Sequence, residues 1–200
     1  MSKTAKTQFP IHPLLQERWS PRAFSEALVE ETKLQSLLEA ARWAASCFNE
    51  QPWNFLIATK RQQAEYDRML SCLAEANQIW AKQAPVLMLT VAKLRFAHNG
   101  KPNPHAYHDI GLAVGNLVVQ ATALGLAVHQ MAGIFPDKAR STYGIPEHYE
   151  AVTGVAIGYI GDPHSLPDAL RERELAERTR NPVSTFAFQG SWGQSIHWEP

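Results

Sequence analysis

The chain has 200 residues, 45% of them hydrophobic, with 19 basic and 19 acidic side chains. That length gives one ordinary domain with short arms, long enough to bury a core without disulfides or metals. A net charge of zero excludes a nucleic-acid binder that works through a basic face, and it leaves little repulsion to oppose self-association.

Residues 1–11 read as a flexible arm, polar at its start and without the apolar stretch of a signal peptide. The first helical pattern runs from about 30 to 45. There Leu34, Leu37, Leu38 and Ala41 recur at three- and four-residue spacing, behind Glu30 and Glu31 at the favoured acidic end. Residues 46–53 form a loop, because Pro52 cannot continue a helix. Residues 55–58 predict a short buried strand and residues 61–76 a more polar helix. Residues 86–92 predict a second strand, apolar on both faces, as in a sheet covered on both sides.

Residues 95–105 are rich in Asn, Pro and Gly and predict a loop. The strongest helix spans about 106–124, closed by Gly125. It is apolar nearly all round, so it must be enclosed by a core or a partner chain. Gly111 and Gly115 lie one turn apart on it and permit a close helix crossing. Residues 127–130 predict a strand, Pro136 opens a short helix, and 151–160 is the last clear strand. After Leu166 the chain turns polar, and Phe186, Phe188, Trp192 and Trp198 need a surface to lie on. This order predicts α+β or α/β. No G-x-G-x-x-G follows a strand and no P-loop occurs, so a Rossmann reading fails. No run approaches the ~18–20 apolar residues that span a bilayer. With two cysteines, Cys47 and Cys72, and no CxxC pair, a soluble, reducing, cytoplasmic setting is the default expectation.

Four segments can carry chemistry. Arg18-Trp19-Ser20-Pro21-Arg22 offers two guanidiniums and a hydroxyl to a phosphate or carboxylate, or is a solvated turn. In the 46–53 loop the amides of Asn49 and Gln51 can read a heterocycle edge, or cap their own loop. Gln130-Met131-Ala132-Gly133 follows a strand, and Gly133 either lets backbone approach a flat ligand or makes an ordinary turn. Arg178 and Arg180 end a charged stretch in which Arg171 and Arg173 fit a solvated, salt-bridged helix.

Taken in order, these segments resemble the flavin-dependent nitroreductase family over about residues 12–183. The resemblance is carried by Arg18-x-Ser20-x-Arg22 and by Ala40-Ala41-Arg42-Trp43-Ala44-Ala45-Ser46-Cys47-Phe48-Asn49-Glu50-Gln51-Pro52-Trp53. Asp109-Ile110-Gly111-Leu112-Ala113, Ala121-Thr122-Ala123-Leu124-Gly125-Leu126, Ile157-Gly158-Tyr159 and the basic pair near 180 complete it. It implies an α+β fold with a central, mostly antiparallel sheet flanked by helices, in an intertwined homodimer with FMN at the subunit interface. The tail, residues 184–200, then packs on the partner subunit. The implied phosphate contacts are Arg18, Ser20, Arg178 and Arg180. The implied ring contacts are Trp19, Arg22, Asn49 and Gln51, with Gln130, Met131, Ala132 and Gly133 beside the flavin. Asn77 matches a further ring-side Asn, although Trp80 stands where some relatives have Lys. Ala45-Ser46-Cys47 replaces a common Pro-Ser-Ser, which brings Cys47 near the flavin.

The resemblance also implies a reaction. NADH or NADPH delivers hydride to the flavin, and a nitroaromatic or quinone then takes its place, in ping-pong order. No catalytic acid or base is assigned, because the flavin carries the chemistry. Relatives that dehalogenate, dehydrogenate or break down flavin keep a second reaction class open, and a flavin storage or sensing module is a third. His98, His105, His108 and Asp109 invite a metal, yet no second dense ligand group exists, so no metal site is assigned. His129 reads as a hydrogen-bonded core histidine.

Overall fold

A computed structural model describes residues 3–196. Its centre is a four-stranded antiparallel sheet of order β1-β2-β4-β3. The strands are β1 (Trp53–Thr59), β2 (Val86–Lys93), β3 (Ala127–Met131) and β4 (Tyr149–Gly158). Among the described residues seven α-helices surround it: α1 (Pro13–Glu17), α2 (Glu31–Arg42), α3 (Gln63–Leu70), α4 (Glu75–Ala81), α5 (Ala106–Ala123), α6 (Pro136–Tyr143) and α7 (Asp168–Leu175). The class is α+β, one of the two that the element order leaves open and the one that the resemblance implies.

Strand β2 shows why the sheet lies in the middle. Leu87, Leu89 and Val91 pack with Tyr66 of α3, Trp80 of α4 and Ala139 of α6. Val86 and Met88 pack with Leu37 of α2 and Leu117 of α5 on the opposite face. Side chains one residue apart point to opposite faces, so an unbroken apolar run needs cover on both.

The polar helix predicted over 61–76 is two helices. Between them Ala74 N donates to Gly133 O at 3.0 Å, and Leu73 bridges to Ile134. That pairing with the end of β3 breaks the helix, and α4 resumes past the predicted end to Ala81. Helix α1 was not visible in the sequence because it buries no residue and so leaves no apolar period.

Helix α5 buries Ile110, Ala113, Val114, Leu117, Val118 and Ala121. Its other side carries Tyr107, Gly111, Leu112, Gly115 and Asn116, which stay exposed in the single chain. Nothing lies within 4 Å of a Cβ placed on Gly111 or Gly115. The close crossing that these glycines permit is therefore not made by any described part of the same chain.

Residues 3–11 lie along the 174–183 segment. Lys3 Nζ donates to the carbonyls of Glu174 and Ala176, and Val183 N donates to Gln8 Oε1 at 3.1 Å. In the tail Phe188 bridges to Ser195 and packs at 5.2 Å, tilted by 55°, against Trp192, which is 92% exposed. Trp198 lies outside the described residues.

Residues 23–25 dock on the end of β4. Ser25 N donates to Tyr159 O, Gly161 N donates to Ala23 O, and Phe24 bridges to Ile160. A Cβ on Gly161 would sit 2.4 Å from the Phe24 carbonyl carbon and 2.5 Å from its oxygen, both backbone atoms that no rotamer change can move. Gly161→Ala should therefore lower the urea unfolding free energy by about 1–3 kcal/mol. An unchanged urea midpoint would mean that this dock is not tightly packed.

Candidate functional site

Three groups of residues make up the candidate site. The first is arginine-rich and joins the two ends of the chain. Lys3, Arg18, Ser20, Arg22, Arg178 and Arg180 line one cavity of about 190 Å³, together with Trp19, Arg173 and the acids Glu174 and Glu177. Arg178 donates to Gln16 O and Arg18 O, each at 2.8 Å, and so ties the 16–18 backbone to the segment after α7. Arg18 donates to Ser20 Oγ at 3.3 Å. The Arg22 guanidinium makes no hydrogen bond or ion pair among the described residues. Burial lowers the pKa of Arg18, and the charges of Arg178 and Arg180 push it the same way. Crowded, half-buried cations of this kind are relieved by a bound anion.

Glu174 holds this group in place, and the sequence reading missed it. The stretch around it reads as a solvated, salt-bridged helix, and Arg171 does pair with Asp168 at 2.9 Å. Glu174 itself is 2% exposed. Its oxygens accept the amides of Arg22 at 2.9 and 3.0 Å and of Ala23 at 3.1 Å. Nothing in the local pattern separates it from Glu172 or Glu177. Arg173, expected to be solvated, borders the cavity.

The second group adjoins the first. Gln130 and Ala132 are exposed, Met131 is buried, and Asn77 Nδ2 donates to Gly133 O at 2.9 Å. A Cβ on Gly133 would meet that Asn77 nitrogen at 2.6 Å. The glycine is thus required by the approach of Asn77 to its own backbone. Asn77 positions the 131–133 turn. Trp80 is buried against Phe24 and His129 rather than placed at a ligand edge. His129 Nδ1 lies 2.9 Å from Pro21 O, so the neutral ring donates to it and joins β3 to the 18–22 segment.

The third group is the 46–51 loop. Phe48, Asn49 and Gln51 all have left-handed backbone, at φ 53°, 56° and 51°, without a glycine among them. Such residues cost of order 1 kcal/mol or more each and persist only where the surroundings over-determine them. The braces are explicit. Asp109, 2% exposed at the start of α5, accepts Cys47 N at 3.0 Å. Glu50 Oε1 accepts Lys93 Nζ at 2.9 Å and Ala97 N at 2.8 Å. Gln51 N donates to Ser46 Oγ at 3.0 Å and Gln51 Nε2 to Asn49 O at 3.2 Å. The loop thus does cap itself, yet Asn49 and Gln51 remain exposed. Cys47 is partly exposed and unpaired. Asp109 is committed to this loop while His105 and His108 point to solvent, and the described residues hold no group of three or more potential metal ligands.

Within one chain the groups are not all together. Arg18 and Trp19 share a cleft with Thr122 and Gly125, at the C-terminal end of α5. The loop is braced at Asp109, about 20 Å away along the helix axis. The bare face of α5 lies between the two ends.

The nitroreductase family model matches residues 15–159. The chain belongs to the nitroreductase family. It is 37% identical to a solved oxidoreductase containing FMN, with a TM-score of 0.91, covering 98% of this chain and 99% of that one. A nitroreductase family protein from Clostridium difficile shares the fold at 24% identity and TM-score 0.69, over 89% of this chain and 96% of that one. Among curated relatives, NADH dehydrogenase of Thermus thermophilus is 27% identical over 76% of this chain and 89% of its own length. Iodotyrosine deiodinase 1 of Mus musculus is 25% identical over 81% of this chain and 66% of its own length. Among the described residues no helix is long and apolar enough to cross a membrane.

In this nitroreductase-family chain, burial lowers the His129 pKa from 6.5 to about 4; the Pro21 carbonyl opposes the shift and the Arg22 charge adds to it. The folded state resists protonation more than the unfolded state does, so stability present above pH 6.5 is lost as pH falls toward 4. The loss amounts to as much as about 3 kcal/mol. His129→Gln should flatten this part of the curve of urea unfolding free energy against pH. An equal acid slope in parent and variant would assign the loss elsewhere.

Proposed function

We propose that the protein is an FMN-dependent oxidoreductase that takes hydride from NADH or NADPH and reduces nitroaromatic or quinone acceptors in ping-pong order. One observation carries the reading: Arg18, Ser20, Arg178 and Arg180 converge on one cavity, and the Arg22 guanidinium at its border has no anionic partner among the described residues. A phosphate monoester brings close to two negative charges at neutral pH and suits such a donor set. The 37% identity to an oxidoreductase containing FMN supports the same ligand.

In this reading Arg18, Ser20, Arg180 and the uncommitted donors of Arg178 would hold the phosphate. Trp19, Asn49, Gln51 and the 130–133 segment surround the ring, and Asn77 holds Gly133 in position. Arg22 would steady the negative charge that reduction places on the ring, and its guanidinium is available because Glu174 is occupied with backbone amides. Bound FMN supplies the hydride chemistry, so the protein needs no nucleophile or general base.

The homodimer follows from the separation of the groups. Antiparallel contact of two α5 faces about a twofold axis brings the 46–51 loop of one protomer to the arginines of the other. The small-residue surface at Gly111 and Gly115 suits that contact, and the tail, residues 184–200, lies on the partner. A cytoplasmic location remains part of the proposal. The likeness to a deiodinase supports a second reading, in which fold and FMN are kept and the acceptor chemistry is reductive dehalogenation.

Anaerobic mixing with NADH or NADPH should bleach the yellow flavin band rapidly, and nitroaromatic or quinone should restore it. Reoxidation by halogenated aromatics alone would select the second reading, and failure to take up FMN would remove both. Arg22→Ala should weaken FMN binding about 10-fold or more and lower the flavin potential; unchanged values for both would remove Arg22 from this role. In sedimentation the parent should run as a dimer, and Gly115→Glu should give monomer depleted of FMN. A monomeric parent that retains FMN overturns the shared site.

A further inference from the structure

Residues 3–8 have no buried side chain to hold them in place, and the stretch carries Lys3 and Lys6 but no acid. It nevertheless lies on the most cationic part of the chain. Arg178 donates to the Lys3 carbonyl, Ala5 N donates to Gln16 O at 2.9 Å, and Val183 N donates to Gln8 Oε1 at 3.1 Å. Lys6 pairs with Glu177. These contacts all go to the two segments that carry Arg18, Arg178 and Arg180. One exposed ion pair and a few main-chain bonds fasten a segment weakly, so an arm of this kind opens locally at low cost.

Lys3 is the arm's contribution to the arginine-rich cavity. Its ammonium donates to Glu174 O, and to Ala176 O at 2.6 Å, at the end of α7 where carbonyls lack helical partners. It also lies 5.0 Å over the Trp19 ring. A lysine ammonium has three donors, so one is left, and Lys3 lines the cavity beside Arg18, Arg178 and Arg180. Lys3 forms no ion pair among the described residues, because Glu174 is spent on the amides of Arg22 and Ala23 and Glu177 on Lys6. Capping α7 explains two of its bonds. It does not explain why a further cation is brought to a place where burial and the charges of Arg178 and Arg180 already lower the Arg18 pKa. Like charges gathered in this way are held by an anion among them.

We propose that residues 3–8 are an anion-dependent latch on the flavin site: Lys3 supplies a further contact to the phosphate of the bound nucleotide, and the phosphate in turn holds the arm closed. The proposal rests on the FMN reading above and adds to its donors a group from the start of the chain. With the cavity filled, the Lys3 charge is drawn onto the phosphate. With the cavity empty, Lys3 is repelled by the arginines around it and the arm releases. Phosphate binding and arm closure reinforce one another, because each is more favourable once the other is in place.

The test uses the full chain, freed of flavin and titrated with FMN and with riboflavin, which lacks the phosphate. The parent should bind FMN more tightly than riboflavin. Lys3→Met keeps the length of the side chain and removes the charge. It should lower the ratio of FMN affinity to riboflavin affinity about three- to tenfold, through FMN alone, and Lys3→Arg should restore it. Trypsin cleavage after Lys6, followed by mass, should slow about threefold or more with FMN bound and stay unchanged with riboflavin bound. An unchanged affinity ratio in Lys3→Met, or equal protection by the two flavins, overturns the latch and leaves the FMN reading standing. A Lys3→Met protein that loses urea stability and binds both flavins more weakly to the same degree also overturns it, because Lys3 would then only cap α7. A parent that binds FMN and riboflavin alike removes the phosphate anchor and the latch together. A parent that takes up neither overturns the FMN reading, and the latch with it.

Discussion

Everything in this protein's candidate site depends on a crowd of cations whose neighbouring acids are committed elsewhere. Arg18, Arg178 and Arg180 repel one another in a half-buried place. Two contacts hold them there regardless. Arg178 donates to the carbonyls of residues 16 and 18, and Glu174 accepts the amides of residues 22 and 23. Glu174, the buried carboxylate at the cluster, spends its oxygens on backbone amides, and Glu177 pairs with Lys6, so neither forms an ion pair with a guanidinium. The chain's two ends are pinned into a cationic cavity whose natural complement is an anion from outside.

The second constraint is strain. Three non-glycine residues of the 46–51 loop adopt left-handed backbone, and Asp109 and Glu50 hold them from below. Both carboxylates are buried and both spend oxygens on backbone amides. The design matches that at Glu174: an acid hidden beneath a functional segment fixes the main chain and leaves the polar tips above it free. Asn49, Gln51 and the Phe48 ring are presented to solvent by the same device.

The sheet and α5 determine where these two built surfaces lie. The doubly covered sheet sets β3 beside the 18–22 segment through His129 and Pro21. Helix α5 then separates the cationic cavity from the strained loop by most of its length, with an open small-residue face between them. One chain carries two built surfaces at opposite ends of one helix.

The two-faced burial of β2, the apolar face of α5 and the order of the four chemical segments were legible in the sequence, because each is written in local periodicity or local composition. So was the family, through Arg18-x-Ser20-x-Arg22 and the 46–53 loop. Other features were decided only by tertiary contact. The break at residues 71–74 comes from pairing with residues 133–134, against a helical period that runs through it. Glu174, Glu50 and Asp109 look like any surface acids in sequence, and Gly133 looks like a ligand-facing glycine until Asn77 is placed against it. The physical reason is common to all of them: a buried polar group is defined by its partner, and here every partner lies 40 or more residues away along the chain.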